Sequence, residues 1–510
     1  MSIKKLAGQT LWYGVPRIFS RFLFFGISLL GIQLYDPNNT YPYIQIYAVI
    51  PFLNTLYTYG LETSYFRFAQ LYDKQKLYNT LFISILGSSL LFTVLLLLLR
   101  DPFTRLIEME KYPVFVLWMI GILFFDTMYT LPMAKLRQEE RPRKYAFVNM
   151  FAVMLNIALV LFFYYVARPA HEQDPESFPG SLFNPEIGIG YFILSNLIAS
   201  AVTLLLLYKE FIAFRFRFDP KLWKEVIRYS MPLVIVGFGG MINEMLSRVI
   251  YLKVLDHEPD LEVERELGIF GANYKLAVLI TIFIQVFRLA AEPFFFNQSK
   301  NESAPKTYAR VMKFFVIACC FMFLAVALFL DFWKILIAGG FPEYAEGLHI
   351  VPVLSMASIF LGIYYNLSIW YKLTNRNMIG AYITLGGAVI TIVLNLILIP
   401  EFRYTGAAWA TFCCFAAMMI VSYLLGQKYY PVPYPRKKLL TYLVIVTLLY
   451  IVHEIIVRPM DPTTAWYPYV YYGSALLFLG LFTLLIARVE QKELARMPLI
   501  GKFFSRTTTA

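Results

Sequence analysis

Nine charged side chains sit within or at the ends of long apolar runs, and their types and spacing point to anion chemistry. Five are basic (Arg17, Arg21, Arg248, Lys275 and Arg288) and four are acidic (Glu62, Asp126, Glu244 and Glu292). A charge placed in hydrocarbon needs either a carboxylate partner or an ionic passenger. Arg17 and Arg21 are four residues apart, on one helical face. A helix starting at Lys5 carries Arg21 about 24 Å along its axis, deeper than an ordinary interface anchor. Glu244 and Arg248 repeat this spacing in the order that favours an intrahelical pair, so Glu244 is expected to hold Arg248. Lys275 and Arg288 lie about 20 Å apart along a helix, suited to successive contacts with one passenger. Arginine binds phosphate oxygens two at a time, and a low dielectric strengthens that attraction. The expected ligand is therefore a diphosphate, bound by Arg17, Arg21, Arg248 and Lys275, with Arg288 assisting. Glu62, Asp126, Glu244 and Glu292 are assigned to ion coupling or charge pairing. Trp12, Tyr13, Asn54, Tyr59, Asn243 and Asn273 are candidates for hydrogen bonds to sugars.

Other chemistry finds no support in the residues. There is no glycine-rich phosphate loop ending in Lys-Ser or Lys-Thr. His171, His257, His349 and His453 fall in or near connections without metal-ligand spacing. The cysteines form two adjacent pairs, Cys319–Cys320 and Cys413–Cys414, in apolar runs, and read as small packing residues. No acidic pair in a large outer loop offers metal-assisted glycosyl transfer. The expectation is a transporter with no catalytic residue, no cofactor and no metal.

The elements that position the charges are apolar stretches, about fourteen of them. They are placed at 9–34, 41–66, 78–99, 113–134, 145–167, 187–208, 226–253, 267–296, 309–331, 346–370, 377–399, 404–426, 438–457 and 467–488. A chain of 510 residues that is 59% hydrophobic and 15% charged is an all-α polytopic membrane protein by composition. The net charge of +12 arises from basic clusters in alternate short connections. That is a topology signal rather than a nucleic-acid signature, and it places both termini in the cytoplasm. The first span carries no cleavage site and is expected to be retained. The longest outside connection, 168–186, reads as a solvated loop. The stretch Val153 to Leu159 resembles Ile392 to Leu398, an offset of about 239 residues, each preceded by a basic turn. Two parallel six-helix lobes follow, 1–218 and 219–430, related by an axis along the membrane normal. Residues 431–489 add two helices and 490–510 a cytoplasmic tail. Between the lobes, Asp219-Pro220 is expected to cap an amphipathic surface helix over 219–228.

Four segments carry a family resemblance. Lys4-Lys5-Leu6-Ala7-Gly8-Gln9-Thr10, Tyr59-Gly60-Leu61-Glu62-Thr63, Ala291-Glu292-Pro293-Phe294-Phe295-Phe296 and Leu394-Asn395-Leu396 resemble polysaccharide-export flippases. These belong to the multidrug/oligosaccharidyl-lipid/polysaccharide exporter superfamily. The resemblance implies two lobes around a cavity that opens alternately to either side of a bacterial inner membrane. It implies a polyprenyl-diphosphate-linked sugar or oligosaccharide as passenger, moved from the inner to the outer leaflet. Membrane lipid and other polysaccharide-assembly proteins are the implied partners, and nucleic acid is not. Fourteen spans look like the lipid II and sporulation-type flippases, in which the two extra helices help form a groove for the lipid tail, here 438–488. In lipid II flippases basic residues of the first helix line the cavity, and Arg17 and Arg21 match them. Two alternatives stand beside this reading: a cation-coupled multidrug exporter using Asp126, Glu244 or Glu292, and a polymerase or ligase of lipid-linked glycans.

Overall fold

The computed structural model describes the backbone of residues 3–299, 301–374 and 376–495, with side chains described from Phe19 onward except at a few positions in 289–297. Among the described residues every regular element is a helix, and there is no strand. The long helices are α1 (Ile3–Leu34), α2 (Pro37–Thr58), α3 (Lys74–Leu98), α4 (Pro113–Gln138), α5 (Pro142–Phe162), α6 (Gly190–Leu206) and α7 (Pro220–Val249). They continue with α8 (Asp260–Gln298), α9 (Ala304–Ala327), α10 (Val351–Leu367), α11 (Asn377–Tyr429), α12 (Arg436–Val457) and α13 (Tyr467–Val489). Among the described residues, ten helices are long and apolar enough to cross a membrane, and Phe19–Leu34 and Gly190–Leu206 are shorter apolar helices. The protein is a multi-pass membrane protein.

Local sequence explains where the helices begin and break. Asp36 accepts the Asn39 amide at 3.1 Å and Asp73 accepts the Lys76 amide at 2.8 Å, each capping the helix that follows. Asp219 caps α7 through the amides of Lys221 and Leu222, at 2.9 and 3.1 Å, with Pro220 in the first turn. A hydrogen bond from Lys76 and these two amides hold the Asp219 carboxyl below the usual carboxylate range. Helix α7 then runs unbroken to Val249, so the amphipathic 219–228 segment is the opening of a span and not a separate surface helix. The expected 41–66 stretch is also corrected. Tyr59 and Gly60 both take left-handed backbone, with φ of 30° and 73°, ending α2 at Thr58 and starting a short helix Leu61–Phe68. Non-helical Arg403 (φ 53°, ψ −139°) divides α11 into two arms near the expected boundary between 377–399 and 404–426. The expected 168–186 loop is partly helical, since a helix continues through Arg168–Gln173.

The chain divides into two compact units. Unit 1 holds Met1–Lys275, Leu336–Gly347 and Asn377–Met418, and unit 2 holds Leu276–Ile335, Leu348–Arg376 and Met419–Ala510. In unit 1, α4 packs on α6, α1 and α6 pack on α5, and α2 packs on α4 and α7. Lipid is as apolar as leucine, so close packing and hydrogen bonds hold such helices together. Examples are the buried hydroxyl pair Ser64–Ser230 at 2.6 Å and the Tyr59–Ser84 pair at 2.7 Å. A cluster around Tyr65, Tyr78, Leu81, Leu131 and Val226 fills the space between these elements. In unit 2, α9 packs on α10, α12 and α13.

One close approach in unit 1 fixes a glycine. A Cβ on Gly268 of α8 would lie 2.2 Å from the Pro37 carbonyl oxygen, at the start of α2. Backbone cannot yield as a side chain can, so Gly268→Ala is expected to destabilise the fold by about 1–3 kcal/mol. Gly240→Ala, where nothing lies within 4 Å, is the matched control. Thermal unfolding of both variants in detergent should show a fall in transition temperature for the first only.

Candidate functional site

Lys275 and Arg248 are brought together within unit 1. Both are half-buried in apolar helices, Lys275 on α8 and Arg248 on the last turn of α7. The Lys275 ammonium donates to the Ser28 backbone carbonyl of α1 at 2.8 Å and sits 5.3 Å from the Tyr43 ring centroid of α2. The Arg248 guanidinium lies 4.2 Å over the Tyr274 ring. Its Nη2 donates to the Glu244 backbone carbonyl at 3.0 Å and meets the Met245 sulfur at 3.0 Å. Residues 274 and 275 are adjacent on α8, about 100° apart around the axis, so the first can face Arg248 while the second faces α1 and α2. Arg248 thus packs against the residue next to Lys275. Among the described residues, neither cation forms a salt bridge. Glu244 is expected to hold Arg248 through its side chain; the hydrogen bond between the two comes from the Glu244 main chain.

Aromatic groups extend this surface. The Tyr43 ring lies 4.7 Å from that of Tyr47 and 5.7 Å from that of Phe192, and Asn196 donates to the Tyr47 hydroxyl at 2.8 Å. Carbonyl oxygens and ring faces hold a cation more weakly than a carboxylate does. They leave its strongest partnership open to an incoming anion.

The other predicted residues are distributed differently. The Arg21 side chain is exposed, and those of Arg17 and Glu292 lie outside the described residues. Arg288 belongs to unit 2, where its guanidinium lies 4.6 Å over the Tyr365 ring. There it lines a cavity of about 20 Å³ with Asn366 and Lys372, room for little more than a water molecule. Glu62 pairs with Arg137. Asp126 accepts a hydrogen bond from Ser200 at 2.6 Å. Three of the candidate sugar-binding residues are engaged internally. Tyr59 bonds Ser84 at 2.7 Å, Asn243 donates to the Thr384 carbonyl at 3.1 Å, and Asn273 donates to the Ile269 and Tyr344 carbonyls at 2.9 and 2.8 Å. Asn54 is exposed, while Trp12 and Tyr13 lie outside the described side chains. Sequence reading missed Tyr43 and Tyr274; the one signal available was the adjacency of Tyr274 to Lys275.

The profile of the polysaccharide biosynthesis protein family matches residues 9–299, more than half of the chain. The chain belongs to this family. Comparison with the curated proteins gives no significant match. Among solved structures, the family member described here is similar to the lipid II flippase MurJ in its inward closed conformation. The TM-score is 0.70 at 13% identity, covering 93% of this chain and 98% of that one. It is also similar to the MATE multidrug transporter DinF-BH, with a TM-score of 0.60 at 15% identity, covering 83% and 96% of the two chains. An inward-facing MATE family transporter of the MOP superfamily gives 0.59 at 13% identity, covering 84% and 94%. At these identities the likeness is one of fold, and the fold is that of transporters and flippases.

Proposed function

We propose that the protein is a flippase that carries a polyprenyl-diphosphate-linked sugar or oligosaccharide across a bacterial inner membrane for polysaccharide assembly. The observation that carries this reading is the Lys275–Arg248 pair, two cations among apolar helices that rest on carbonyls and rings. A diphosphate entering there exchanges those contacts for charge-assisted hydrogen bonds at both cations. Arg17 and Arg21 extend the anion path on α1, and Arg288 assists at a second station. Glu244 releases Arg248 as phosphate arrives. The lobes 1–218 and 219–430 rock about the site while the isoprenoid tail stays in lipid, along the helices of 431–489. Family membership and the lipid II flippase among the similar structures support the reading.

The test is the sidedness of polyprenyl-diphosphate glycans in cells depleted of the protein. Accumulation in the inner leaflet, reversed by the wild-type chain, is the expected result; an unchanged distribution with no redundant flippase would reject the proposal. The exporter alternative depends on an acid. Asp126→Asn keeps an acceptor for Ser200, so glycan export by this variant is expected to stay within about threefold of wild type. Loss of transport together with loss of sodium or proton dependence would favour the coupled exporter.

A further inference from the structure

The connection between α6 and α7 combines exposed aromatic groups with exposed cations. Residues 208–224 read Tyr-Lys-Glu-Phe-Ile-Ala-Phe-Arg-Phe-Arg-Phe-Asp-Pro-Lys-Leu-Trp-Lys. After a short helix Tyr208–Ile212 the backbone is non-helical to Asp219. It is strapped along one face of the first turns of α3. Gln75 donates to the Ala213 carbonyl at 2.9 Å, and the Arg215 and Asp219 amides donate to Asn79 and Thr80 at 3.0 and 3.3 Å. Trp223 donates to Ser84 at 2.7 Å. Phe214 turns inward onto Phe82, with ring centroids 4.9 Å apart. The Arg217 amide bonds back to the Arg215 carbonyl at 2.7 Å, a tight turn whose central residue is Phe216. Phe216 is 80% exposed and Ile212 77% exposed.

The charges on this strap are of nearly one sign. Lys209, Arg215, Arg217, Lys221, Lys224 and Arg228 are all exposed. Of the acids, Glu210 is buried and neutralised by Arg141 and Lys144, at 3.0 and 2.7 Å, and Asp219 pairs with Lys76 at 2.5 Å. Only Glu225 is both exposed and acidic here, and it accepts from Tyr72 at 2.5 Å. The strap joins the ends of two apolar helices, so it lies at the level where hydrocarbon gives way to headgroups. Exposed aromatic rings flanked by arginines at that level match an anionic lipid surface, the rings entering the acyl boundary and the cations meeting phosphates. A soluble acidic partner would explain the cations and leave Phe216 and Ile212 without a medium.

We propose that residues 208–224 form a binding site for anionic phospholipid headgroups of the leaflet they face, with Arg215 and Arg217 on the phosphates and Phe216 as the apolar anchor. The full-length protein in detergent, titrated with phosphatidylglycerol or phosphatidylcholine and read by native mass spectrometry, tests this. Wild type is expected to prefer phosphatidylglycerol, with the preference shrinking at high salt. The R215Q/R217Q double variant should lose about 30-fold in phosphatidylglycerol affinity, the combined effect of two cations at an anionic surface, and bind phosphatidylcholine as before. F216S should weaken both lipids. Equal transition temperatures in lipid-free detergent establish that the variants are folded. Undiminished phosphatidylglycerol preference in the double variant would overturn the proposal. So would displacement of the lipid by millimolar inorganic phosphate, which would identify a soluble phosphate site instead.

Discussion

Replacing Lys275 by methionine and Arg248 by glutamine together is expected to abolish glycan translocation while leaving the protein folded. Each cation would contribute about 1.5–3 kcal/mol as a charge-assisted partner of phosphate, so loss of both predicts binding weaker by about two to four orders of magnitude. Stability should move the other way or not at all. Both groups sit among apolar helices without a salt bridge among the described residues, and replacing a poorly compensated charge by an isosteric neutral side chain is often neutral or stabilising. The two readouts separate a binding role from a structural one. Glycan sidedness in cells reports the first, and thermal unfolding in detergent the second. Wild-type export by a double variant present at normal abundance would remove these residues from the site. A fall of many degrees in the transition temperature would identify a structural pair.

Glu490→Ala is expected to be the most destabilising change at a charged position of unit 2. Lys313 on α9 and Glu490, at the end of α13, are a buried ion pair with side-chain exposures of 6% and 2%. Lys438 and the Tyr442 hydroxyl of α12 also donate to Glu490, at 2.8 and 2.6 Å, so one carboxylate gathers three helices. Removing it leaves the Lys313 charge buried with Glu493 alone, at 2.7 Å, and breaking such a pair costs about 3–5 kcal/mol. The double substitution Lys313→Met with Glu490→Leu should recover most of the loss, because the uncompensated charge goes too. The network also predicts a pH dependence. Burial would raise the Glu490 carboxyl, but the hydrogen bonds from Lys313, Lys438 and Tyr442 outweigh it and hold the group below the usual glutamate range. A depressed carboxyl contributes stability that is fully present above its unfolded value near 4.5 and is lost as pH falls through the lower folded value. Unfolding followed between pH 7 and pH 3 should show wild type losing stability at the acid end and the double variant losing less there.

The helical class was legible because apolar runs of this length have few other solutions in lipid. Asp219-Pro220 announced a helix start, and the structure places one there. The break at Tyr59-Gly60 was missed because tyrosine inside an apolar run gives no sign of left-handed backbone. The cations were visible by contrast with their surroundings, whereas their aromatic supports were not. With 37 tyrosines in the chain, Tyr43 and Tyr274 do not stand out. Pairings at long range were equally hidden: Glu62 finds Arg137, 75 positions away, and no local spacing rule reaches that far. Asn243 and Asn273 looked like sugar ligands for the same reason, since composition cannot tell whether an amide is spent on a neighbouring carbonyl.

The hydrogen bond from Lys275 to the main chain of α1 has a genetic corollary. Its donor is a side chain and can be altered by one codon change, but its acceptor is the carbonyl of residue 28, which every amino acid supplies. Selection can therefore retune this contact from the α8 side alone. Sequence drift at position 28 leaves the acceptor in place, and covariation between positions 28 and 275 would carry no trace of a contact that is nonetheless direct.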